Sequence, residues 1–462
     1  MSEKNLALLT FGCQMNKYDS EKMVGLLENS GIRLTDNLDT ADVIILNTCS
    51  IREKAEHKVY SQLGRLSPLK KKNPNLIIGV GGCVAQIQGK KILQRAPQVD
   101  LVFGTLNINK LPRFIREIEE TGARISDIDS DSDIDTDSAA IKREGAVHAW
   151  VSIMHGCDNY CSYCIVPYTR GREKSRTRDA ILTEIRGLSE KGFKEITLLG
   201  QNVNSYGSDL SEGIDFSDLL CLIDGINGIE RIRYMTSHPK DLSDKLIKAM
   251  AELPKVCESL HLPIQAGSDS VLQNMKRGYT SGEYLKNIDK VKEAIPEISL
   301  SSDIIVGFPG ETDEDFEKTR DIIRSVRYDG IFLFKYSPRP ETPASKFSNQ
   351  IPNDVKQSRF EDIMELQKEI TLSKNKELEG KVVEILIEGN NKNDNSKLTG
   401  RTRTNKLVII PTGGGFEKED LTGKLIDVKI TRANLYGLEG ILVSESQSVK
   451  VSEQKNFDSM TL

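Results

Sequence analysis

The sequence predicts an α/β protein in three parts: an N-terminal parallel-sheet α/β domain, a central partial (β/α)6 barrel, and a small C-terminal antiparallel β-barrel. Three observations carry this. Short apolar runs alternate with helical periodicity through residues 6–103. The same alternation resumes at Ala149 and runs to residue 336. From residue 378 the apolar period drops to two, as in Val383, Ile385 and Ile387, and again in Ile426, Val428 and Ile430.

In the first part, Leu6–Thr10, Asp42–Asn47, Asn75–Val80 and Asp100–Phe103 read as strands. Ser20–Asn29, Ile51–Leu66 and Ala85–Arg95 read as the helices between them. Repeated strand–helix units build a parallel sheet. Cys13, Cys49 and Cys83 each follow one of the first three strands, about one strand–helix unit apart. All three are expected at the carboxyl edge of one sheet, where open parallel sheets keep their ligand sites. Domain 1–125 ends at a join, 126–145, in which Asp occupies positions 127, 129, 131, 133, 135 and 137. Like charges at that spacing repel and leave no face to bury, so an acidic solvated linker is expected.

The central domain, 146–376, offers strands at 149–154, 195–199, 231–236, 257–264, 299–306 and 331–336. Helical patterns at 179–191, 216–224, 241–252, 282–294 and 313–327 separate them, and 354–375 reads as a long polar exit helix. Six strands with crossover helices make an incomplete barrel with its site at the carboxyl ends of the strands. The last domain, 377–443, is punctuated by Gly413–Gly415 and followed by a polar, flexible tail, 444–462.

Basic and acidic residues number 63 and 68 in 462, a net charge of -5. That excludes a generally basic nucleic-acid coat but allows a local basic site. No apolar run approaches the ~18 residues of a membrane span. The start, Met1-Ser2-Glu3-Lys4, carries no secretory pattern. A cytoplasmic location is expected, where stable disulfides are improbable and clustered cysteines point to metal or catalysis.

The strongest motif is Cys157-Asp-Asn-Tyr-Cys161-Ser-Tyr-Cys164, three soft ligands in eight residues just after the first barrel strand. Such a claw suits an iron–sulfur cluster, or a zinc ion with His155 as fourth ligand. Zinc claws usually pair two short knuckles, and this sequence has one. With three cysteines, a 4Fe–4S cluster keeps one iron open to another molecule. Cys221 and Cys257 match no motif and are expected in the core.

CxxxCxxC after the first strand of such a barrel resembles the radical S-adenosylmethionine (SAM) superfamily. Thr10-Phe-Gly-Cys13-Gln-Met-Asn16, Asn47-Thr-Cys49, Gly81-Gly-Cys83, Pro167-Tyr-Thr-Arg-Gly-Arg172 and His261-Leu-Pro-Ile-Gln265 narrow this further. They resemble the methylthiotransferases, closest to the tRNA-2-methylthio-isopentenyladenosine synthase (MiaB) branch, over residues 5–443. The resemblance implies two 4Fe–4S clusters, on Cys157, Cys161 and Cys164 and on Cys13, Cys49 and Cys83. It implies that one SAM is cleaved at the first cluster to give a radical that takes the hydrogen from carbon 2 of adenine. A second SAM methylates sulfur at the other. An external one-electron donor and a sulfur source are implied, with tRNA as substrate and the chain acting as a monomer.

SAM contacts are expected at strand ends: Tyr163 between two ligands, Gly200, Gln201 and Asn202 after the second strand, and Gln265, Gly267 and Ser268 after the fourth. Asp303, Gly307, Gly310 and Glu311 lie on and beyond the fifth. The last domain resembles a TRAM domain, an RNA-binding β-barrel. Lys397, Arg401, Arg403 and Lys406 cluster on one predicted hairpin, with Arg401 and Arg403 on one strand face. Arg172, Lys174, Arg176 and Arg178 add a basic stretch near the cluster loop. Both patches are expected to grip RNA phosphates. Two other readings stand beside this one. One is a methylthiotransferase for a different tRNA adenosine or a ribosomal-protein aspartate. The other is a non-catalytic metal-cluster RNA-binding protein.

Overall fold

Three successive domains, each of the predicted kind, make up the computed structural model, which describes residues 4–49, 54–129, 141–143, 145, 147–411 and 421–443. Most of the expected acidic linker, Gly413–Gly415 and the tail from 444 lie outside the described residues.

The first sheet takes strands β1 (Lys4–Thr10), β2 (Ile32–Leu34), β3 (Val43–Thr48), β4 (Ile77–Gly82), β5 (Leu101–Phe103) and β6 (Ile125–Asp127). They lie in the order β2-β1-β3-β4-β5-β6, all parallel. β3 and β4 are buried on both faces, hence their unbroken apolar runs. The helices are α1 (Gln14–Glu28), α2 (Lys54–Lys72), α3 (Cys83–Gln88), α4 (Lys90–Arg95) and α5 (Leu111–Thr121). Two differences from the sequence reading arise here. The single helix expected over Ala85–Arg95 is broken at Gly89, whose φ of +46° stops one helix before the next begins. β6 extends the sheet into the predicted linker, and Asp127 there is held by Lys110 and Asn107 rather than left to solvent.

The central chain runs β7 (His148–Ser152), β8 (Met154–His155), α6 (Val166–Arg170), β9 (Lys174–Ser175), α7 (Arg178–Glu190) and β10 (Glu195–Leu199). It continues through α8 (Phe216–Asp224), β11 (Arg231–Tyr234), α9 (Asp244–Glu252), β12 (Ser259–His261), α10 (Asp269–Asn274) and α11 (Ser281–Ala294). Then come β13 (Ser299–Val306), α12 (Asp313–Val326), β14 (Gly330–Lys335) and the exit helix α13 (Asn353–Lys376). Parallel strands β7, β10 and β11 form one half and β12, β13 and β14 the other. A single bridge, Ile232 to Val256, links the halves at their base. The barrel therefore stays open, and the long strand expected over 257–264 shortens to three residues. Along β13, Leu300, Ser302, Ile304 and Val306 are buried, while Ser301, Asp303 and Ile305 are half-buried on the other face. Phe332, on the edge strand β14, is 51% exposed.

The last sheet is a closed barrel of β15 (Val382–Asn390), β16 (Lys397–Thr402), β17 (Leu407–Pro411), β18 (Leu425–Asn434) and β19 (Gly437–Leu442). It is antiparallel except at β17–β19, which pair parallel to close it. Its core is Ile385, Ile387, Leu398, Val408, Val428 and Ile430, the alternating residues of the sequence pattern. Cys257 is buried as expected, but Cys221 is exposed. The buried face of α8 is Phe216, Leu219, Leu220 and Ile223, and position 221 turns away from it. Among the described residues no helix is long and apolar enough to cross a membrane.

Candidate active site: two cysteine triads at facing sheet edges

Cys13 caps the start of α1, Cys49 directly follows β3, and Cys83 opens α3 directly after β4. β1, β3 and β4 are neighbours, so the three thiols stand at one carboxyl edge, as the spacing predicts. Asn16 and Asn47 hold this edge in shape: Asn16 Nδ2 donates to Asn47 Oδ1 at 3.1 Å, and Asn47 Nδ2 returns to the Asn16 carbonyl at 2.8 Å. Gly12 sits at φ +139°, and a Cβ there would come within 2.7 Å of Cys49 Cβ. That close approach brings the first two cysteines together. The Cys13 thiol is lowered to about 6, chiefly by a hydrogen bond with Cys49 and further by the charge of Arg170, against the opposing effect of burial.

Cys157, Cys161 and Cys164 line the loop between β8 and α6. Gly156, at φ +75°, enters this loop so close to the Arg172 carbonyl that a Cβ would lie 2.0 Å from it. Burial pushes the Cys157 thiol up, and burial pushes Cys164 up to about 12, with Cys161 adding repulsion. Three cysteines in one loop, two of them with their charged form disfavoured chiefly by burial, are a donor set that a soft cation would complete. Among the described residues no three His, Cys, Asp or Glu side chains gather tightly enough to hold a single metal ion. A four-iron cluster spreads three thiolates over three irons and needs no such gathering, and three free cysteines in one loop are the donor set it takes. His155, the alternative zinc ligand, has Arg170, Lys22 and Lys174 as its leading charged neighbours and is held neutral by burial.

The two edges face each other. Cys13 packs against an apolar group of Met15, Tyr18, Leu199, Trp150 and Met235. Leu199 ends β10 and Met235 follows β11, so the first triad lies at the mouth of the barrel whose loop carries the second. Two buried arginines serve this region. Arg277 donates to Cys161 Sγ at 3.4 Å, to the Tyr163 hydroxyl at 3.4 Å and to the Pro263 carbonyl at 2.9 Å. Arg170 donates to Asp19 at 2.8 Å.

The expected SAM residues divide. Gln201 Oε1 and Asn202 Oδ1, past the end of β10, are buried without a hydrogen-bond partner among the described residues. Orphaned acceptors of this kind fit a ligand with amino and hydroxyl donors. Asn202 Nδ2 is fixed on Asp241 at 2.7 Å. Gly200 leaves no room for a Cβ against Met154. Gln265 takes φ +75° and bridges to β13 beside Asp303, whose carboxylate lies 3.4 Å from His261 Nε2. Tyr163 packs against an apolar group containing Ala266, Val271, Leu272 and Met275. Gly307 donates its N–H to Glu311 at 2.9 Å, and Glu311 pairs with buried Arg359. Ser268 differs from expectation: it is buried and hydrogen-bonded to Asp315 and Ser270, tying α10 to α12.

The basic residues divide more sharply. Arg172 is exposed and pairs with Asp158 at 2.9 Å. Arg176 is buried, bonded to Glu184 and the Ser152 carbonyl, which removes it from any RNA-facing patch. Arg403 lies past the end of β16, in the turn, rather than on one strand face with Arg401, and it grips Glu258 and the Val256 carbonyl. Lys406 is bound to Asp329 and Asn375. Both side chains are spent holding the small barrel to the large one. Arg401 pairs with Glu388 and Lys397 with Asp394, each still partly exposed. Sequence reading met Arg170 only inside the Pro167–Arg172 motif and passed over Asp19 and Arg277, because a charge whose partner lies a hundred or more residues away carries no local pattern.

An open barrel with a three-cysteine loop after its first strands defines the radical SAM class, and residues 151–323 match the radical SAM superfamily. Residues 5–104 match the uncharacterized protein family UPF0004 and residues 376–443 the TRAM domain. The tRNA-2-methylthio-N(6)-dimethylallyladenosine synthase of Carboxydothermus hydrogenoformans is 50% identical over 445 residues, 96% of this chain and 100% of the relative. Its namesake from a Thermoanaerobacter species is 51% identical over 94% of this chain and 92% of its own. The chain belongs to the tRNA-2-methylthio-N(6)-dimethylallyladenosine synthase family of radical SAM enzymes, which use SAM and 4Fe–4S clusters. Among solved structures, the radical SAM methyltransferase TsrM of Kitasatospora setae shares the fold, with a TM-score of 0.57 and 14% identity over 75% of this chain and 77% of its own.

Proposed function

We propose that this chain adds a methylthio group to carbon 2 of isopentenyladenosine beside the anticodon of tRNA, acting in the cytoplasm as a monomer. The observation that carries the reading is the meeting of two cysteine triads at one barrel mouth. End-to-end identity to synthases named for this product supports it. The alternative substrates and the non-catalytic reading have no such support.

In this reading Cys157, Cys161 and Cys164 hold the SAM-binding cluster, and Cys13, Cys49 and Cys83 hold the other. When bound, the clusters would supply the one-electron chemistry and a place to hold sulfur, and SAM the radical and the methyl group, that an unactivated aromatic carbon requires. The chain's own residues do the rest. Gln201 and Asn202 offer SAM their unpartnered carbonyl oxygens. Asp303 accepts a ribose hydroxyl, with His261 fixing the carboxylate from behind. Gln265, in its left-handed conformation, turns its backbone toward the same space, and Tyr163 lends a ring face to adenine. Gly200 and Gly307 keep the strand ends clear, and Ser268 braces the turn from below. Trp150, Leu199 and Met235 form an apolar wall that keeps water from the reacting atoms. The adenine enters from an anticodon loop, where it is unstacked more readily than in a duplex. Arg172, Lys174, Arg178, Lys397 and Arg401 are the cations of the two patches that stay exposed or partly exposed, and they meet phosphate. An external electron donor and a sulfur source complete the reaction.

Mass spectrometry of tRNA nucleosides from cells with and without the protein is the test. The methylthio nucleoside should appear only with it, and an unchanged nucleoside profile would overturn the reading. Anaerobically reconstituted protein should hold about eight irons, and a Cys157→Ala/Cys161→Ala/Cys164→Ala variant about four. That variant should lose reductive SAM cleavage, whereas Cys13→Ala/Cys49→Ala/Cys83→Ala should cleave SAM yet form no methylthio product.

A further inference from the structure

Arg170 ends α6, six residues past Cys164, yet its side chain belongs to the other triad. It is 4% exposed. Nη2 donates to Asp19 on α1, the helix that begins beside Cys13. α6 packs against α3, whose first residue is Cys83, and Thr105 on the loop after β5 donates to the Thr169 carbonyl at 2.8 Å. The guanidinium is thus wedged between the helices that carry two of the three N-terminal thiols, and its charge acts on both Cys13 and Cys83. Its Nη1 is buried and has no hydrogen-bond partner among the described residues. A guanidinium offers five N–H donors in one rigid plane, and Asp19 meets only one edge of it. A desolvated donor without an acceptor is unfavourable, and native proteins keep few of them without a ligand to answer.

A small anion suited to three thiols would supply the missing acceptor. The reaction read above delivers sulfur and methyl as one unit, and methanethiolate is the anion of that unit. We propose that Arg170 is a positioning residue that holds this sulfur anion at the Cys13/Cys49/Cys83 site through its free Nη1; the inference rests on the methylthiotransferase reading. A second role follows from its place in the chain. The segment that carries the SAM-binding cysteines also delivers the cation to the sulfur site, so the two sites are set against each other by one short helix.

The alternative is a purely structural strut, in which Arg170 only joins α6 to Asp19. Methaneselenolate labelled with selenium-77 separates the two, because its hyperfine coupling in the electron paramagnetic resonance of the reduced protein reports probe bound at a cluster. The holoenzyme, reconstituted with both clusters, is titrated as wild type, Arg170→Gln and Arg170→Lys, with iron measured in each. Wild type should bind the probe. Iron-loaded Arg170→Gln should bind it about tenfold more weakly, the usual effect of losing a hydrogen bond to a charged group. Arg170→Lys should fall between, since it keeps the charge but not the planar fork. Equal affinity in wild type and iron-loaded Arg170→Gln overturns the proposal. Should Arg170→Gln fail to load iron, unchanged affinity in iron-loaded Arg170→Lys overturns it instead. A wild type that holds no iron refutes the two-cluster reading itself, whereas a loaded wild type that ignores the probe refutes only the role of Arg170.

Discussion

His238 follows β11 and is buried, its Nδ1 accepting the Lys240 amide at 3.3 Å while Nε2 has no partner among the described residues. Burial, with the charges of Arg277 and Lys240 nearby, lowers it to about 2 from an ordinary 6.5. The folded ring therefore stays neutral while the unfolded chain takes up a proton. Its contribution to stability is complete above pH 6.5 and is lost as pH falls below that toward 2. Between pH 7 and 5 the wild type should lose about 2 kcal/mol from this group, and His238→Gln should not. Urea midpoints at both pH values measure the difference. Arg277 is the other residue with more than its own stability at stake. Replacing it with Met leaves the Pro263 carbonyl with only the Tyr279 hydroxyl, 3.2 Å away, and should cost about 1 kcal/mol. It also withdraws a cation and an N–H donor from Cys161, so the midpoint potential of the iron-loaded protein should move lower in a redox titration. Neither residue announced itself in the sequence. The six cysteines did, because their chemistry fixes their spacing, whereas a buried histidine or arginine is defined by neighbours brought in from distant strands.

The hairpin of β16 and β17 teaches a similar lesson about elements. Its cations suggested an RNA surface, and the hairpin itself was legible in the sequence. Its orientation was not, because that depends on backbone carbonyls, which every residue has. Arg231, wholly buried on β11, donates to the Arg401 carbonyl at 2.6 Å and to Glu384 on β15 at 2.8 Å. Arg233 donates to the carbonyls of Arg403 at 2.7 Å and Thr402 at 2.8 Å. The small barrel is therefore docked by arginines of the large one. Arg231→Ala should cost about 2 kcal/mol and speed tryptic cleavage near Lys376 and Lys381, where the two barrels join. Unaltered cleavage would mean that Arg233, Arg403 and Lys406 hold the two barrels together without Arg231. The short elements β2 and β6 and the helix α5 had no distinct place in the sequence reading. β2 and β6 have three residues each, too few for a period to show.

Between the first sheet and the barrel lies a buried ionic knot. Glu184 on α7 accepts from Arg143 and from Arg176, Arg143 also reaches Glu21 on α1, and Arg176 contacts the Tyr18 hydroxyl at 3.4 Å. Each charged side chain in the knot is at most 6% exposed. Glu184→Gln leaves two buried guanidinium groups short of a counter-charge and should destabilise the assembled protein by about 3 kcal/mol, read as a lower unfolding temperature. Such a loss would also disturb the barrel mouth, since Tyr18 belongs to the apolar group beside Cys13. The topology of the first sheet has a consequence at the ribosome. β1, β3 and β4 pair with one another without help from any later strand, so the thiols that follow them are all supplied within the first 83 residues. Nascent chains fold from the amino end, domain by domain. Cys13, Cys49 and Cys83 thus come together before Cys157 has been translated, on an edge that α6 has yet to cover. Metal can therefore reach that edge in the interval before the barrel exists, whereas in the finished chain it has to enter past α6.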